Sequence, residues 1–251
     1  MNGLSGGLIA VDERLRAEHT FLSAADRLHC LAEYRPGRGY RAGSVNQLIV
    51  NLKCPPSVTA LDARRGRYKR RAIATIASAL RSAMDRATVE GATWIPIPTS
   101  RLPGDVDYDD RLQRILLAAF GDYALDLRCA LFQRRSTSAD HGRVRRSSAT
   151  ALYRVIGVDG ALLAHPPLRR RIVLFDDVLT SGKHYKCCER RLREALAGTA
   201  IGRTSIGETS IGKIPISGVV VARRALLAGC CWPRPPPPLP QAVTARAPTA
   251  P

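Results

Sequence analysis

Apolar residues recur at helical spacing in two long stretches of the first ninety positions. Leu8, Val11, Leu15, Leu22, Ala25 and Leu28 fall roughly on one face and predict a helix of mixed polarity over residues 8–33. Ile73, Ile76, Leu80 and Met84 repeat more strictly and predict a second helix over 67–87. Between them, a Gly/Arg-rich turn at 35–43 precedes a short amphipathic element, Asn46 to Lys53, closed by Pro55 and Pro56. Together these elements predict an N-terminal helical hood over residues 8–88.

The pattern then changes to short apolar runs separated by helical periods. Strands are predicted at 93–98, Leu125–Phe132, Ile172–Phe175 and Ile216–Ala222, with helices at Asp109–Phe120 and Lys183–Leu196. Strands alternating with helices predict an α/β fold over 91–225, a central parallel sheet flanked by helices. Residues 133–149 are polar, strongly basic and aperiodic, which predicts an exposed mobile loop. The segment 200–213 carries Thr-Ser-Ile-Gly twice and reads as a slipped duplication in a surface loop. Residues 226–251 read as a Pro-rich disordered tail, with Pro235–Pro238 in polyproline II form.

Charge sharpens the choice of ligand. The chain has 39 Lys and Arg against 21 Asp and Glu, a formal net charge of +18, and nearly all the cations are Arg. Such an excess favours polyanions: phosphorylated metabolites, nucleic acid or acidic proteins. The seven Cys include no C-x-x-C pair, so neither a zinc ribbon nor a thioredoxin motif is indicated. Their odd number and two vicinal pairs fit reduced thiols in a cytoplasmic protein. The first thirty residues show no secretory leader, and aliphatic stretches such as Val219–Ala222 are far too short to span a membrane.

The most informative segment runs from Ile172 to His184. An apolar strand delivers Asp176 and Asp177 at its C-terminal end, where open α/β sheets bind ligands. The turn Thr180-Ser181-Gly182 then opens a helix at Lys183 and His184. Backbone N–H groups at that helix start, with the Thr180 and Ser181 hydroxyls, form an anion cradle. Adjacent carboxylates are wrong for gripping a polyphosphate but suit the vicinal hydroxyls of a ribose, which are donors. A Walker phosphate loop is absent.

Residues 172–184 resemble the 13-residue phosphoribosyl-pyrophosphate (PRPP) motif of type I phosphoribosyltransferases. The resemblance implies the type I phosphoribosyltransferase fold, with Asp176 and Asp177 on the ribose 2′- and 3′-hydroxyls. It also implies that Thr180, Ser181, Gly182, Lys183 and His184 surround the 5′-phosphate. The last position, usually Thr, is His184 here, and an imidazole N–H also donates to phosphate. Members acting on 6-oxopurines often carry Asp where Thr180 stands, so hypoxanthine or guanine salvage is disfavoured. Trp94–Arg101 looks like the family's first strand and pyrophosphate loop, with Thr99, Ser100 and Arg101 supplying donors and a cation. Arg134, Arg135, Ser136, His141, Arg143, Arg145 and Arg146 stand where the family has its mobile catalytic lid. Tyr34–Lys53, the basic helix 67–87 and Ser217–Arg224 look like the ComF-like, competence-related subgroup, a resemblance covering about 20–225. Two departures stand out: the N-terminal zinc-type Cys pairs are missing, and Asp109–Leu112 replaces an Arg-Gly-Phe-Asn-Gln stretch. Asn46, Gln47 and Lys53 either line a nucleophile pocket or pack the hood on the sheet edge.

The resulting expectation is transfer of a 5-phosphoribosyl group from PRPP to a small nitrogenous acceptor, releasing pyrophosphate. Mg²⁺ would arrive with PRPP rather than on dedicated protein ligands. The alternative is a non-catalytic PRPP- or nucleotide-sensing, or DNA-uptake-related, protein that binds nucleic acid through Arg67, Lys69, Arg70 and Arg71. Few aromatics interleave with the Arg residues, so nucleic-acid binding is expected to be weak. No membrane partner is expected, and a homodimer is compatible with the sequence.

Overall fold

A computed structural model describes residue 4 and residues 6–36, 43–136, 148–198 and 214–225. In chain order the elements are β1 (Ile9–Ala10), α1 (Glu13–Arg16), β2 (Leu28–Tyr34), α2 (Ser44–Leu52), α3 (Pro56–Leu61), α4 (Ala63–Ala83) and α5 (Arg86–Glu90). They continue as β3 (Ala92–Pro96), α6 (Arg111–Phe120), β4 (Asp126–Leu127), β5 (Leu131–Gln133), α7 (Ala149–Val155) and β6 (Ile156–Val158). The last are α8 (Gly160–Ala164), β7 (Arg171–Leu179), α9 (Lys183–Gly198) and β8 (Ile216–Arg224).

Six strands form one sheet in the order β1-β2-β8-β7-β3-β4, and β5 and β6 pair separately as an antiparallel ribbon. Within the six, only the β1–β2 pair is antiparallel. The fold is therefore α/β, with a mostly parallel central sheet flanked by helices. β7 lies between β8 and β3. Its run Ile172–Phe175 is buried on both faces, as a central parallel strand demands. Strand alternation sends Val173 and Phe175 to one face and Ile172 and Leu174 to the other.

Two apolar layers follow from that alternation. On one face α2, α4 and α6 cover the sheet through Ile49, Leu52, Ile73, Ile76, Leu80, Ile115 and Leu116. α4 begins where the Asp62 carboxylate accepts from the backbone N–H groups of Arg64 and Arg65, at 2.9 and 3.1 Å. Trp94 sits at the centre of this layer, 5.6 Å from Phe120 and 6.4 Å from Phe175 between ring centroids. Its indole N–H donates to the Val89 carbonyl at 3.2 Å, so the ring is buried without an orphan donor. On the other face α9, α8 and the β5–β6 ribbon bury Cys187, Cys188, Leu192, Leu163, Leu131 and Ile156.

The largest correction lies at the start of the chain. The expected helix over 8–33 is replaced by β1, the single-turn α1, a compact turn and β2. The Asp26 carboxylate accepts from the backbone N–H and hydroxyl of Ser23, at 2.6 and 2.9 Å, and this turn chemistry breaks any helix. Leu28, Cys30, Leu31 and Ala32 are buried on both faces of β2, which pairs in parallel with β8. The segment expected as a hood thus opens with two strands of the central sheet and is helical from α2 onward. The strand expected at Leu125–Phe132 is two short strands in different sheets, β4 and β5, because Arg128 turns the chain between them. Its guanidinium is buried, pairing with Asp126 at 2.7 Å and donating to the carbonyls of Leu162 and Pro167. The duplication at 200–213, most of the basic segment (137–147) and the tail 226–251 lie outside the described residues. No helix among the described residues is long and apolar enough to cross a membrane. The five described cysteines are free thiols.

Candidate functional site

The parallel pairing of β3 and β7 sets the site. Pro96 is in register with Phe175, and the Ile97 N–H continues the ladder onto the Phe175 carbonyl at 2.8 Å. Both strands therefore end at the same edge of the sheet. Thr99, Ser100 and Arg101 leave β3 there, while Asp176, Asp177 and the turn Thr180–Gly182 belong to β7 and the start of α9.

Adjacent residues of a strand point to opposite faces, and the two acids meet different surroundings. Asp177 is buried on the face covered by α2 and α6. One of its carboxylate oxygens accepts from Lys53 Nζ at 3.0 Å. The other takes both Nε and Nη2 of Arg111, the Nε at 3.0 Å. Arg111 in turn reaches Asp109 at 2.9 Å, and Asp109 pairs with the buried Lys69 at 2.6 Å. Lys69 also donates to the Cys54 carbonyl at 2.6 Å. A continuous chain of three cations and two carboxylates thus joins the end of α2, the first turns of α4, the start of α6 and the end of β7. Burial alone would push the Asp177 carboxyl up, but Lys53 and Arg111 outweigh it and hold the group well below the usual range. The same pairing raises Arg111, although burial opposes it.

Asp176 has the opposite environment. No ion pair reaches it among the described residues, and its Oδ1 accepts only the Asp177 backbone N–H, at 2.8 Å. It lies close enough to Cys188 of α9 for its charge to help burial push that thiol up. Desolvation first, and then the neighbouring Asp177 charge, push the Asp176 carboxyl up to about 7. A carboxylate offers about four acceptor positions. Asp177 has filled three of its own, whereas Asp176 keeps most of its capacity.

The turn after β7 has the shape of an anion cradle. Gly182 adopts φ +81°, a left-handed conformation that side chains resist, and a Cβ there would stand 2.7 Å from Leu22 Cδ2. The Thr180 carbonyl accepts from His19 Nδ1, and the Ser181 carbonyl accepts the Phe21 N–H at 2.9 Å. Lys183 and His184 open α9, both half-buried. In the neighbouring loop, Thr99 Oγ1 is buried with no hydrogen-bond partner among the described residues. Arg101 leans on Asp105 at 3.4 Å. Ser136 bridges the Leu102 N–H and the Asp105 carboxylate at 3.1 and 2.9 Å. The basic segment is thereby tied at its start to the loop expected to hold pyrophosphate. Arg134 and Arg135 are exposed there, while His141 and Arg143 lie outside the described residues.

The structure thus brings the β3 loop, both acids and the β7–α9 turn to one sheet edge. Lys53 joins them, while Asn46 does not. The Asn46 side chain closes on the backbone of Arg35, accepting at 3.1 Å and donating at 2.6 Å, a structural tie between β2 and α2. His19 is the residue whose part the pattern of the chain leaves unmarked, since it stands inside a stretch that reads as helix. Asp109, Asp110 and Arg111 read from the sequence equally as site residues or as an ordinary helix start. Among the described residues no cluster of three or more His, Cys, Asp or Glu could hold a metal ion. The donor set instead offers one uncommitted hard carboxylate, Asp176, beside the anion cradle. That fits Mg²⁺ carried mainly by a substrate's phosphates. No family model matches the chain, and no curated protein or solved structure is significantly similar to it.

Proposed function

We propose that this protein is a phosphoribosyltransferase of the type I fold that binds PRPP. It transfers the 5-phosphoribosyl group to a nitrogenous acceptor and releases pyrophosphate. The observation that carries the reading is the convergence at one sheet edge. An uncommitted carboxylate, a left-handed glycine turn opening a helix, and a second loop with a buried unpartnered hydroxyl all meet there. Asp176 accepts a ribose hydroxyl, and Asp177 retains one acceptor position for the other. The turn Thr180–His184 takes the 5′-phosphate, and Thr99, Ser100 and Arg101 take the diphosphate.

In the reaction the acceptor nitrogen bonds to the anomeric carbon as the bond to the diphosphate oxygen breaks, and the acceptor's proton is lost. Mg²⁺, when bound with the substrate, neutralises charge gathering on the diphosphate. The protein's share is positioning and electrostatics. Lys53 and Arg111, held in place by Asp177, keep fixed positive charge beside the acid pair. No side chain stands out as a general base, so the acceptor's class stays at nitrogenous nucleophiles.

Calorimetric titration of PRPP with Mg²⁺ tests the reading, paired with pyrophosphate release across a panel of bases and amines. Asp176→Asn removes a charged acceptor, so affinity should fall at least about tenfold while the fold survives. Unchanged affinity would remove the ribose assignment.

A second reading has one observation in its favour. α4 presents Arg64, Arg65, Arg67, Arg70 and Arg71 to solvent, with Tyr68 among them. Lys69 does not belong to that surface, being buried against Asp109. Oligonucleotide binding that survives about 0.15 M salt and shifts severalfold with PRPP would make nucleotide sensing on nucleic acid the leading function.

A further inference from the structure

The residues 19–22 hold the candidate phosphate loop from behind. His19 Nδ1 donates to the Thr180 carbonyl, the Phe21 N–H donates to the Ser181 carbonyl, and the Leu22 side chain fills the space a Cβ on Gly182 would need. The only cis peptide among the described residues is His165–Pro166. In a trans peptide unit the C=O and N–H point in opposite directions. Two carbonyls drawn toward residues 19–22 therefore turn the N–H groups of Ser181 and Gly182 away from them. Neither N–H donates to another group among the described residues. The pair points away from residues 19–22 at the start of α9, where the helix adds partial positive charge.

A carbonyl only accepts, so Nδ1 carries the proton. His19 is buried, and its Nε2 has no hydrogen-bond partner among the described residues. Burial first, with Arg223 and Arg224 nearby, holds the ring's pKa below the ordinary histidine value against the Thr180 bond and Glu18. Among the described residues the side chain thus makes one hydrogen bond, and that bond is with the phosphate loop. An apolar residue of similar size would fill the same volume but leave the Thr180 carbonyl unpartnered. The Thr180–Ser181 peptide could then rotate and turn the Ser181 N–H inward.

We infer that His19 is a positioning residue that aims the Ser181 and Gly182 N–H groups at a phosphate monoester, the 5′-phosphate of a ribosyl ligand. The inference rests on the phosphoribosyl reading and assigns the part of the ligand that His19 serves. Because the diphosphate is held by a different loop, the two ends of the ligand should respond differently.

The experiment is calorimetric titration of the full chain with ribose 5-phosphate and, separately, with pyrophosphate and Mg²⁺. Wild type is compared with His19→Leu and His19→Asn. The Leu variant should lose about tenfold in ribose 5-phosphate affinity, the value of one hydrogen bond, and keep pyrophosphate affinity within about twofold. His19→Asn places an amide N–H near the Nδ1 position and should recover most of the loss. Should the Leu variant not fold, His19→Gln, whose longer amide overshoots the Thr180 carbonyl, takes its place. Wild-type affinity in the Leu variant, equal loss of both ligands, or no recovery with Asn would each overturn the role of His19 and leave the phosphoribosyl reading standing. Failure of the wild-type protein to bind ribose 5-phosphate or PRPP would overturn that reading, and the role of His19 with it.

Discussion

Replacing Arg111 by Met cuts the buried charge chain at its middle. Asp177 would keep only Lys53, and Asp109 only Lys69. The side chains involved are almost fully enclosed: Arg111 is 12% exposed, Asp177 and Asp109 each 6%. Removing one partner of a buried ion pair leaves a carboxylate without its counter-charge and costs about 3–5 kcal/mol. Against a typical total of about 5–15 kcal/mol that is a large fraction of the stability. With a urea dependence of about 2–3 kcal/mol per molar, the unfolding midpoint should fall by about 1–2.5 M. The pH dependence carries a sign. Lys53 and Arg111 depress Asp177 below its unfolded value of about 3.9, so its stabilisation is present above that value and is lost as pH falls through the folded one. Losing Arg111 lets Asp177 rise toward an ordinary carboxyl. The stability gap between wild type and variant should therefore be constant from about pH 8 down to about pH 5 and narrow as pH falls below about 4 toward about 2. Urea unfolding followed by far-ultraviolet circular dichroism across that range measures it. Equal midpoints at about pH 7.5, or a gap that does not shrink on acidification, would refute the reasoning.

Two further outcomes follow from the same edge of the sheet. Gly182→Ala combines left-handed strain of about 1–2 kcal/mol with contacts of 2.7 and 2.8 Å to Leu22. It should therefore lower the melting temperature more than Gly104→Ala, where φ is +94° but nothing lies near; equal shifts would refute the contact with Leu22. Asp176→Asn should stabilise the empty protein by about 1–2 kcal/mol at pH 8, with the gain fading by about pH 4. The folded pKa of Asp176 is raised to about 7, so its favourable protonated form is lost as pH rises from the unfolded value to that point. A stability difference independent of pH would contradict this assignment.

Much of the sheet was legible because β3, β7 and β8 are buried on both faces and carry unbroken apolar runs bounded by turns. β2 was not legible. Leu22, Ala25 and Leu28 mimic a helical stripe, and only tertiary contacts show that Leu28 begins a strand while Asp26 closes a turn against Ser23 and Lys186. The boundary at Arg128 was hidden for a related reason: a fully buried Arg is rare enough that its position reads as surface. For the candidate site, residue type and order marked the acids and the glycine turn. They did not mark the ion-pair chain, whose members stand at positions 53, 69, 109, 111 and 177 and meet only after folding. His19, 161 residues from the carbonyl it holds, left no local trace.

Adjacent carboxylates in one apolar sheet would ordinarily compete for a proton, since like charges so close cannot both ionise cheaply. Here strand alternation resolves the competition by giving each acid its own face. Lys53 and Arg111 fix the charge of Asp177, while Asp176, with no ion pair among the described residues, is pushed up to about 7 by burial and the Asp177 charge, which the same two cations only partly offset. Environments that push paired titratable groups apart mark a division of labour. Asp177 acts inward, tying α2 and α6 to the end of β7 and holding two cations at the sheet edge. Asp176 lies on the other face, toward α9, and in the proposed function it is the acceptor whose charge is costly until a ligand supplies donors or a cation. A site so arranged is destabilised when empty and relieved when filled, so affinity and stability should change in opposite directions when Asp176 is neutralised. That opposition separates a ligand-binding carboxylate from one retained only to cap the end of a strand.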